Sequence, residues 1–173
     1  MSNYEIYSAG ILPYAIYKST IYFLLGRDSD NKWSDFGGRV EPKDKGDYEV
    51  TASREFFEET LGSVYDYDYT KKLLKKCPKI ISKTSSGHPY HMYLLKIQYQ
   101  DLIRLKFLST KNFISNTITT IDKKYIEKND IRWVSIETIE HSISGKSLIS
   151  LRYIFSNTYK NKKNEIDLLL KNI

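Results

Sequence analysis

The chain has 173 residues, a length suited to one domain with a full hydrophobic core. Hydrophobic residues make up 40% and charged residues 28%, which excludes a disordered polyelectrolyte, and no apolar run approaches a membrane span. The formal charge of +6 favours phosphates, nucleic acids or anionic lipids as contacts without choosing among them.

The positive charge gathers at Lys71, Lys72, Lys75 and Lys76 and again at Lys160, Lys162 and Lys163, runs that are more often solvated faces than binding sites. One cysteine, Cys77, rules out an internal disulfide and fits a reducing compartment. The start, Met1 to Glu5, has no basic segment followed by an apolar one. Together these predict a soluble, cytoplasmic protein with no membrane partner. The 15 tyrosines exceed what one core of this size can hold, so many are expected at partly exposed positions.

In chain order, Ser8 to Tyr17 and Thr20 to Arg27 are β-prone runs joined by Lys18-Ser19, a predicted hairpin. Asp28 to Lys32 is a polar loop, and Trp33 to Val40 reads as one short strand ending at Gly37-Gly38. After a polar loop containing Pro42 and Gly46, Asp47 to Leu61 reads as a helix with Asp47 as N-cap and Gly62 as stop. Lys79 to Thr84 and Tyr90 to Tyr99 are strand-like, separated by the turn residues Ser85 to Pro89. Asp101 to Asn116 reads as helical, Asp130 to Ser135 as a short strand, and Ile136 to His141 as a helical turn. Ser147 to Asn172 carries one or two terminal helices with a break at Asn161 to Asn164. The expected class is α/β, with a main domain over 1–145 and a helical extension over 146–173 packed on it.

The stretch from Gly37 to Gly62 reads GGRVEPKDKGDYEVTASREFFEETLG. Glu55, Glu58 and Glu59 stand at i, i+3 and i+4, within one arc of roughly 100° on a helix. Phe56 and Phe57 point elsewhere and are expected to pack while the carboxylates face outward. Three like charges on one face repel unless a cation offsets them, and hard divalent ions prefer carboxylate oxygens. Arg54 beside them can hold a carboxylate through a bidentate pair, and Gly37-Gly38 permits a ligand to approach the backbone. An isolated E-x-x-E-E would ordinarily be a solvated acidic surface; the Gly-Gly strand end and the Arg-Glu pair in order change that reading.

This stretch resembles the Nudix box, G-x5-E-x7-R-E-U-x-E-E-x-G-U, where U is apolar. Gly38 matches the first glycine, Asp44 falls at the first acidic position, and Thr51 and Ala52 match the small residues that follow. Arg54, Glu55, Phe56, Glu58 and Glu59 match the core of the motif. There are three departures: Asp stands for the usual Glu, the gap from Asp44 to Arg54 is two residues longer, and Leu61 intervenes before Gly62. Trp33 to Gly38 and Asp130 to Val134 are also similar to the family's flanking strands, so the likeness runs over residues 5–142.

The resemblance implies an α/β/α sandwich around a mixed sheet, with C-terminal helices. It implies metal-dependent hydrolysis of a phosphoanhydride bond in a nucleoside diphosphate linked to another moiety, such as capped RNA or a dinucleoside polyphosphate. The alternative is a non-catalytic module of the same fold that binds a nucleotide or RNA. Mg²⁺ or Mn²⁺ would sit on Glu55, Glu58 and Glu59, with Arg54 orienting a glutamate. Gly37, Gly38 and Arg39 would meet the substrate, with Lys43 flanking them. Glu55 or Glu59 would serve as general base, with Glu127 an outside candidate. Tyr14, Trp33, Phe36 and Tyr90 are candidates for stacking on a base.

Two weaker signals carry nothing. Gly145-Lys146-Ser147 lacks the upstream glycine of a P-loop, since position 140 is Glu140. His88 and His91 lie in a turn without the companions of a zinc site.

Overall fold

The computed structural model describes residues 7–122, 125–146 and 148–171, so Met1 to Glu5, Ser147 and Asn172 of the readings above lie outside the described residues. The hairpin forms as expected from β1 (Ser8–Tyr17) and β2 (Thr20–Arg27). Lys18 and Ser19 both adopt positive φ, 47° and 64°, the primed turn whose twist matches two antiparallel strands. Trp33 to Val40 does not form one strand. It splits at Asp35 into β3 (Trp33–Ser34), which pairs with β2, and β4 (Phe36–Arg39), which pairs with β1.

Helix α1 (Tyr48–Thr60) is capped by the Asp47 carboxylate, which accepts the Val50 N–H at 3.0 Å. It ends with two consecutive left-handed residues, Leu61 and Gly62, and the Gly62 N–H donates to the Phe57 carbonyl. Helix α2 (Tyr67–Leu74) is absent from the sequence reading. Its signals were the N-cap Asp66 and a narrow inward stripe, Thr70 and Leu74, in a segment otherwise dominated by lysines. Strands β5 (Lys79–Lys83) and β6 (Pro89–Lys96), helix α3 (Ile103–Thr117), strand β7 (Asp130–Ser135) and helix α4 (Ile136–Ile143) follow. Helix α5 (Tyr153–Lys171) runs unbroken through Asn161 to Asn164. Asparagine costs a few tenths of a kcal/mol per helical position, roughly. Burial of Phe155, Tyr159, Ile166 and Leu170 on one stripe outweighs that.

The sheet is mixed. The order β3-β2-β1-β6-β5 is supplemented by β4 on β1 and β7 on β2; β1 and β6 pair in parallel and the other strand pairs are antiparallel. Side chains alternate across it with period two. Leu12, Tyr14, Phe23, Leu25, Met92 and Leu94 face the core closed by α4 and α5. Ala9, Ile11, Leu24, Tyr93 and Leu95 face the other core, closed by α1, α2 and α3. Two cores on one sheet make an α/β/α sandwich. Of the tyrosines, Tyr7, Tyr14, Tyr90, Tyr93 and Tyr159 are buried. Cys77 packs between α2 and β5, where burial pushes its thiol up to about 11, as suits a structural rather than reactive cysteine. No helix among the described residues is long and apolar enough to cross a membrane.

Candidate active site

The site forms where β4, the loop after it and the carboxylate face of α1 meet. The loop contains a short 3₁₀ turn, Pro42–Asp44, and returns to Asp47 through left-handed Lys45 and Gly46. Those two residues accommodate the longer loop, so Asp44 still reaches Arg54. The guanidinium makes a bidentate pair, Nε to Oδ1 at 3.0 Å and Nη2 to Oδ2 at 2.9 Å. Asp44 also accepts the Glu41 N–H and the Thr51 hydroxyl. Burial alone would raise the Asp44 pKa, but the Arg54 hydrogen bonds and the other donors outweigh it and hold it below the usual range. An aspartate therefore replaces the expected glutamate with full pairing.

Arg54 goes on to donate to the Arg39 carbonyl at 2.9 Å, to Glu55 Oε1 at 2.8 Å and to Glu58 Oε2 at 3.2 Å. It orients two of the three glutamates at once. Lys43 sits 3.7 Å from Glu58 Oε1. Glu59 turns the other way: its Oε2 accepts the Gly37 N–H at 2.8 Å and its Oε1 lies 3.1 Å from Lys128 Nζ.

The carboxylates do not face solvent as the helical pattern suggests. Glu58 and Glu59 are buried, 5% and 3% exposed, while Phe57 is the exposed one at 36%. The reason is β4. The helix lays its acidic face on the Gly37-Gly38 strand end, and a Cβ on Gly38 would overlap the Glu55 carboxylate. A Cβ on Gly37 would meet Gly10 Cα at 2.6 Å. The glycine pair thus makes room for the protein's own carboxylate and neighbouring strand, and Gly37 spends its N–H on Glu59.

Burial pushes the Glu55 carboxyl up to about 7, with Arg54 pulling against it and the charges of Glu58 and Glu127 adding to the rise. Burial likewise pushes Glu59 up to about 7, opposed by Lys128 and reinforced by Glu55 and Glu127. Exposed Glu127 therefore lies close enough for its charge to act on both glutamates.

A cleft of 210 Å³ opens beside β4, lined among others by Asp35, Gly37, Gly38, Arg39, Tyr90 and Arg152. Its floor holds a buried pair in which the Tyr90 hydroxyl donates to Asp35 Oδ2. Burial raises the Asp35 pKa against the pull of Tyr90, Lys128 and Arg152. Of the residues expected to stack on a base, Tyr14, Trp33 and Phe36 are ruled out by burial at 1%, 4% and 0% exposure. Trp33 instead takes the Arg132 guanidinium over its ring at 4.4 Å. Tyr90 lines the cleft but is only 5% exposed, with its hydroxyl committed to Asp35. His88 lines the cleft, whereas His91 stacks on Tyr48 at 3.7 Å, so the two do not converge.

Sequence reading missed Asp35, Lys128 and Arg152. None belongs to a motif, and each reaches the site from a different element; only the neighbouring Glu127 pointed to the Lys128 loop.

No protein-family model matches the sequence, and none of the curated proteins does. Solved structures do. A Caenorhabditis elegans Ap4A hydrolase in a binary complex aligns at TM-score 0.56 and 17% identity over 96% of this chain and 99% of that one. The NUDIX domain of Shewanella oneidensis NrtR, complexed with ADP ribose, aligns at 0.56 and 10% over 94% and 88%. A mutT/nudix family protein from Listeria innocua aligns at 0.53 and 14% over 96% and 97%. The chain has the Nudix fold. In this Nudix fold the segment Gly38 to Gly62 supplies the loop and helix that carry Asp44, Arg54 and the three glutamates, and α5 supplies the far wall of the cleft.

The donor set suits a hard divalent cation in kind, being carboxylate oxygens. Glu55 fits best: its half-buried carboxylate shares the Arg54 guanidinium with Asp44 and Glu58, and its Oε2 makes no hydrogen bond or ion pair among the described residues. Glu58 and Glu59 are already held by protein cations, and among the described residues no three His, Cys, Asp or Glu side chains converge as a ligand set.

Proposed function

We propose that this protein is a metal-dependent pyrophosphohydrolase that cleaves a phosphoanhydride bond in a nucleoside diphosphate linked to another moiety. The observation that carries the reading is the largely buried Glu55–Glu58–Glu59 face, with Glu55 and Glu58 held by Arg54, set against a cleft that bears Arg39 and Arg152. Solved structures similar to this chain include an Ap4A hydrolase and a domain holding ADP ribose, which makes a dinucleoside polyphosphate or an ADP-ribose-type nucleotide the first class to test. The basic surface keeps capped RNA among the substrates to test.

Glu55, with Glu58 and Glu59, would hold Mg²⁺ or Mn²⁺, which supplies Lewis-acid polarisation of a phosphate and a lowered pKa for a bound water. Arg39 and Arg152 bind the anionic chain from the two walls of the cleft. Arg54 holds Glu55 by Oε1, which leaves Oε2 to take the proton of the attacking water as the phosphorus–oxygen bond to the leaving group breaks. In the metal-free protein burial pushes that carboxyl up to about 7, and a cation bound beside it would draw it back down. Glu127 supports the rise from the loop, a role short of the base itself.

A second reading, a module that binds a nucleotide without cleaving it, is favoured by one observation: Glu58 and Glu59 already carry cationic partners. Incubation with Mg²⁺ or Mn²⁺ and a panel of dinucleoside polyphosphates, ADP-ribose, nucleotide sugars, nucleoside triphosphates and capped RNA separates the two. One substrate class should be cleaved, and a Glu58→Gln, Glu59→Gln variant should lose that activity by about a thousand-fold or more. Nucleotide binding by the folded wild type with no turnover of any class would favour the binding module.

A further inference from the structure

Lys128 is the least expected member of the site. Its side chain is 2% exposed, and its ammonium lies 3.1 Å from Glu59 Oε1 and donates to the Ser34 hydroxyl at 3.2 Å. A buried lysine needs a built path. Here the stem crosses Gly26, where a Cβ would stand 2.9 Å from Lys128 Cδ and 2.8 Å from the Phe36 ring. The backbone beneath it is pinned on two sides. Lys111 of α3 donates to the Lys128 carbonyl and to Asn129 Oδ1, and the Asn129 N–H donates to the Arg27 carbonyl at 2.7 Å. Glu59 is equally fixed, because its other oxygen holds the Gly37 N–H. Nothing about this pair is the loose contact of a surface lysine.

We propose that in the substrate-free protein Lys128 is a tethered cation that takes the place of a divalent ion at Glu59, leaving Glu55 as the carboxylate open to metal until a substrate brings further ligands. This rests on the reading of the carboxylate face as a metal site. The physical reason is charge. A fixed ammonium on Glu59 neutralises the carboxylate that a second ion would need and repels an ion arriving on Glu55 beside it. Metal occupancy is thereby held down in the substrate-free protein, and the anionic phosphates of a substrate would add the ligands that the protein withholds.

The test is Mn²⁺ titration of the substrate-free protein, followed by the electron paramagnetic resonance signal of free Mn²⁺. Lys128→Met removes charge and donor; Lys128→Gln removes the charge and retains a donor for Glu59, which guards against a folding defect in the first variant. Both should bind Mn²⁺ at least about tenfold more tightly, or bind one more ion per chain, than the wild type. Lys128→Arg keeps the charge and should titrate as the wild type does. Adding Glu59→Gln to Lys128→Gln should abolish the gain, locating it on that carboxylate. Wild-type binding that is unchanged or weakened in both neutral variants overturns the proposal and leaves the metal reading standing. Absence of Mn²⁺ binding from every form overturns the metal reading, and this proposal with it.

Discussion

The acidic face of α1 has two ends that treat charge in opposite ways. At the loop end, Asp44 is buried yet fully paired with Arg54, and its carboxyl is held below the ordinary range. At the strand end, half-buried Glu55 and buried Glu59 have less compensation, and both are pushed up to about 7. One residue explains the contrast. Arg54 gives its bidentate edge to Asp44 and a single nitrogen to Glu55 and Glu58, while Glu59 depends on Lys128. The loop end is therefore built for stability and the strand end for accepting charge from outside.

The largest expected effect breaks the stable end. Asp44→Ala leaves the Arg54 charge buried without its bidentate partner and should cost about 3–5 kcal/mol, read as a shift in the urea midpoint. A loss under about 1 kcal/mol would mean that Arg54 re-pairs freely with Glu41, 3.3 Å away, and that the two ends are less distinct than their geometry indicates.

A pH titration sharpens the contrast at the other end. Glu55 and Glu59 have raised pKa values, so the metal-free folded state binds more protons than the unfolded chain between the ordinary 4.5 and about 7. Stability should fall as pH rises through that window. Asp44 and Asp130 have lowered values, and their contribution, present above the ordinary 3.8, should be lost as pH falls below it. Melting temperatures in EDTA at pH 5.5 and 7.5 read the first limb, and Glu55→Gln should flatten much of it. Equal melting temperatures in the wild type would show that the strand end is as well compensated as the loop end.

The smallest effect is a control from outside the site. Lys162 pairs with Glu165 on α5 at 3.1 Å, but both side chains are about a third exposed or more. Lys162→Ser should change stability by no more than about 0.5 kcal/mol, and a larger change would show that the basic run on α5 does more than face solvent.

The hairpin, the box helix with its Asp47 cap, and the order of the late strand and helices follow from local pattern, because turn chemistry, capping and periodicity act within a few residues. The spacing of Arg54, Glu55, Glu58 and Glu59 likewise puts four side chains of the candidate site on one helix by periodicity alone. What direction that face would take was beyond the sequence. The carboxylates turn inward because Gly38 of β4 has no side chain to collide with Glu55 and Gly37 gives its N–H to Glu59, facts that exist only once strand and helix are packed. The split of Trp33 to Val40, the unbroken run of α5, and the arrival of Asp35, Lys128 and Arg152 are of the same kind. Local residue types set which segments become strands and helices. Long-range packing, by removing water from charged groups and choosing their partners, decided which of those charges are neutralised and which are left to take a ligand.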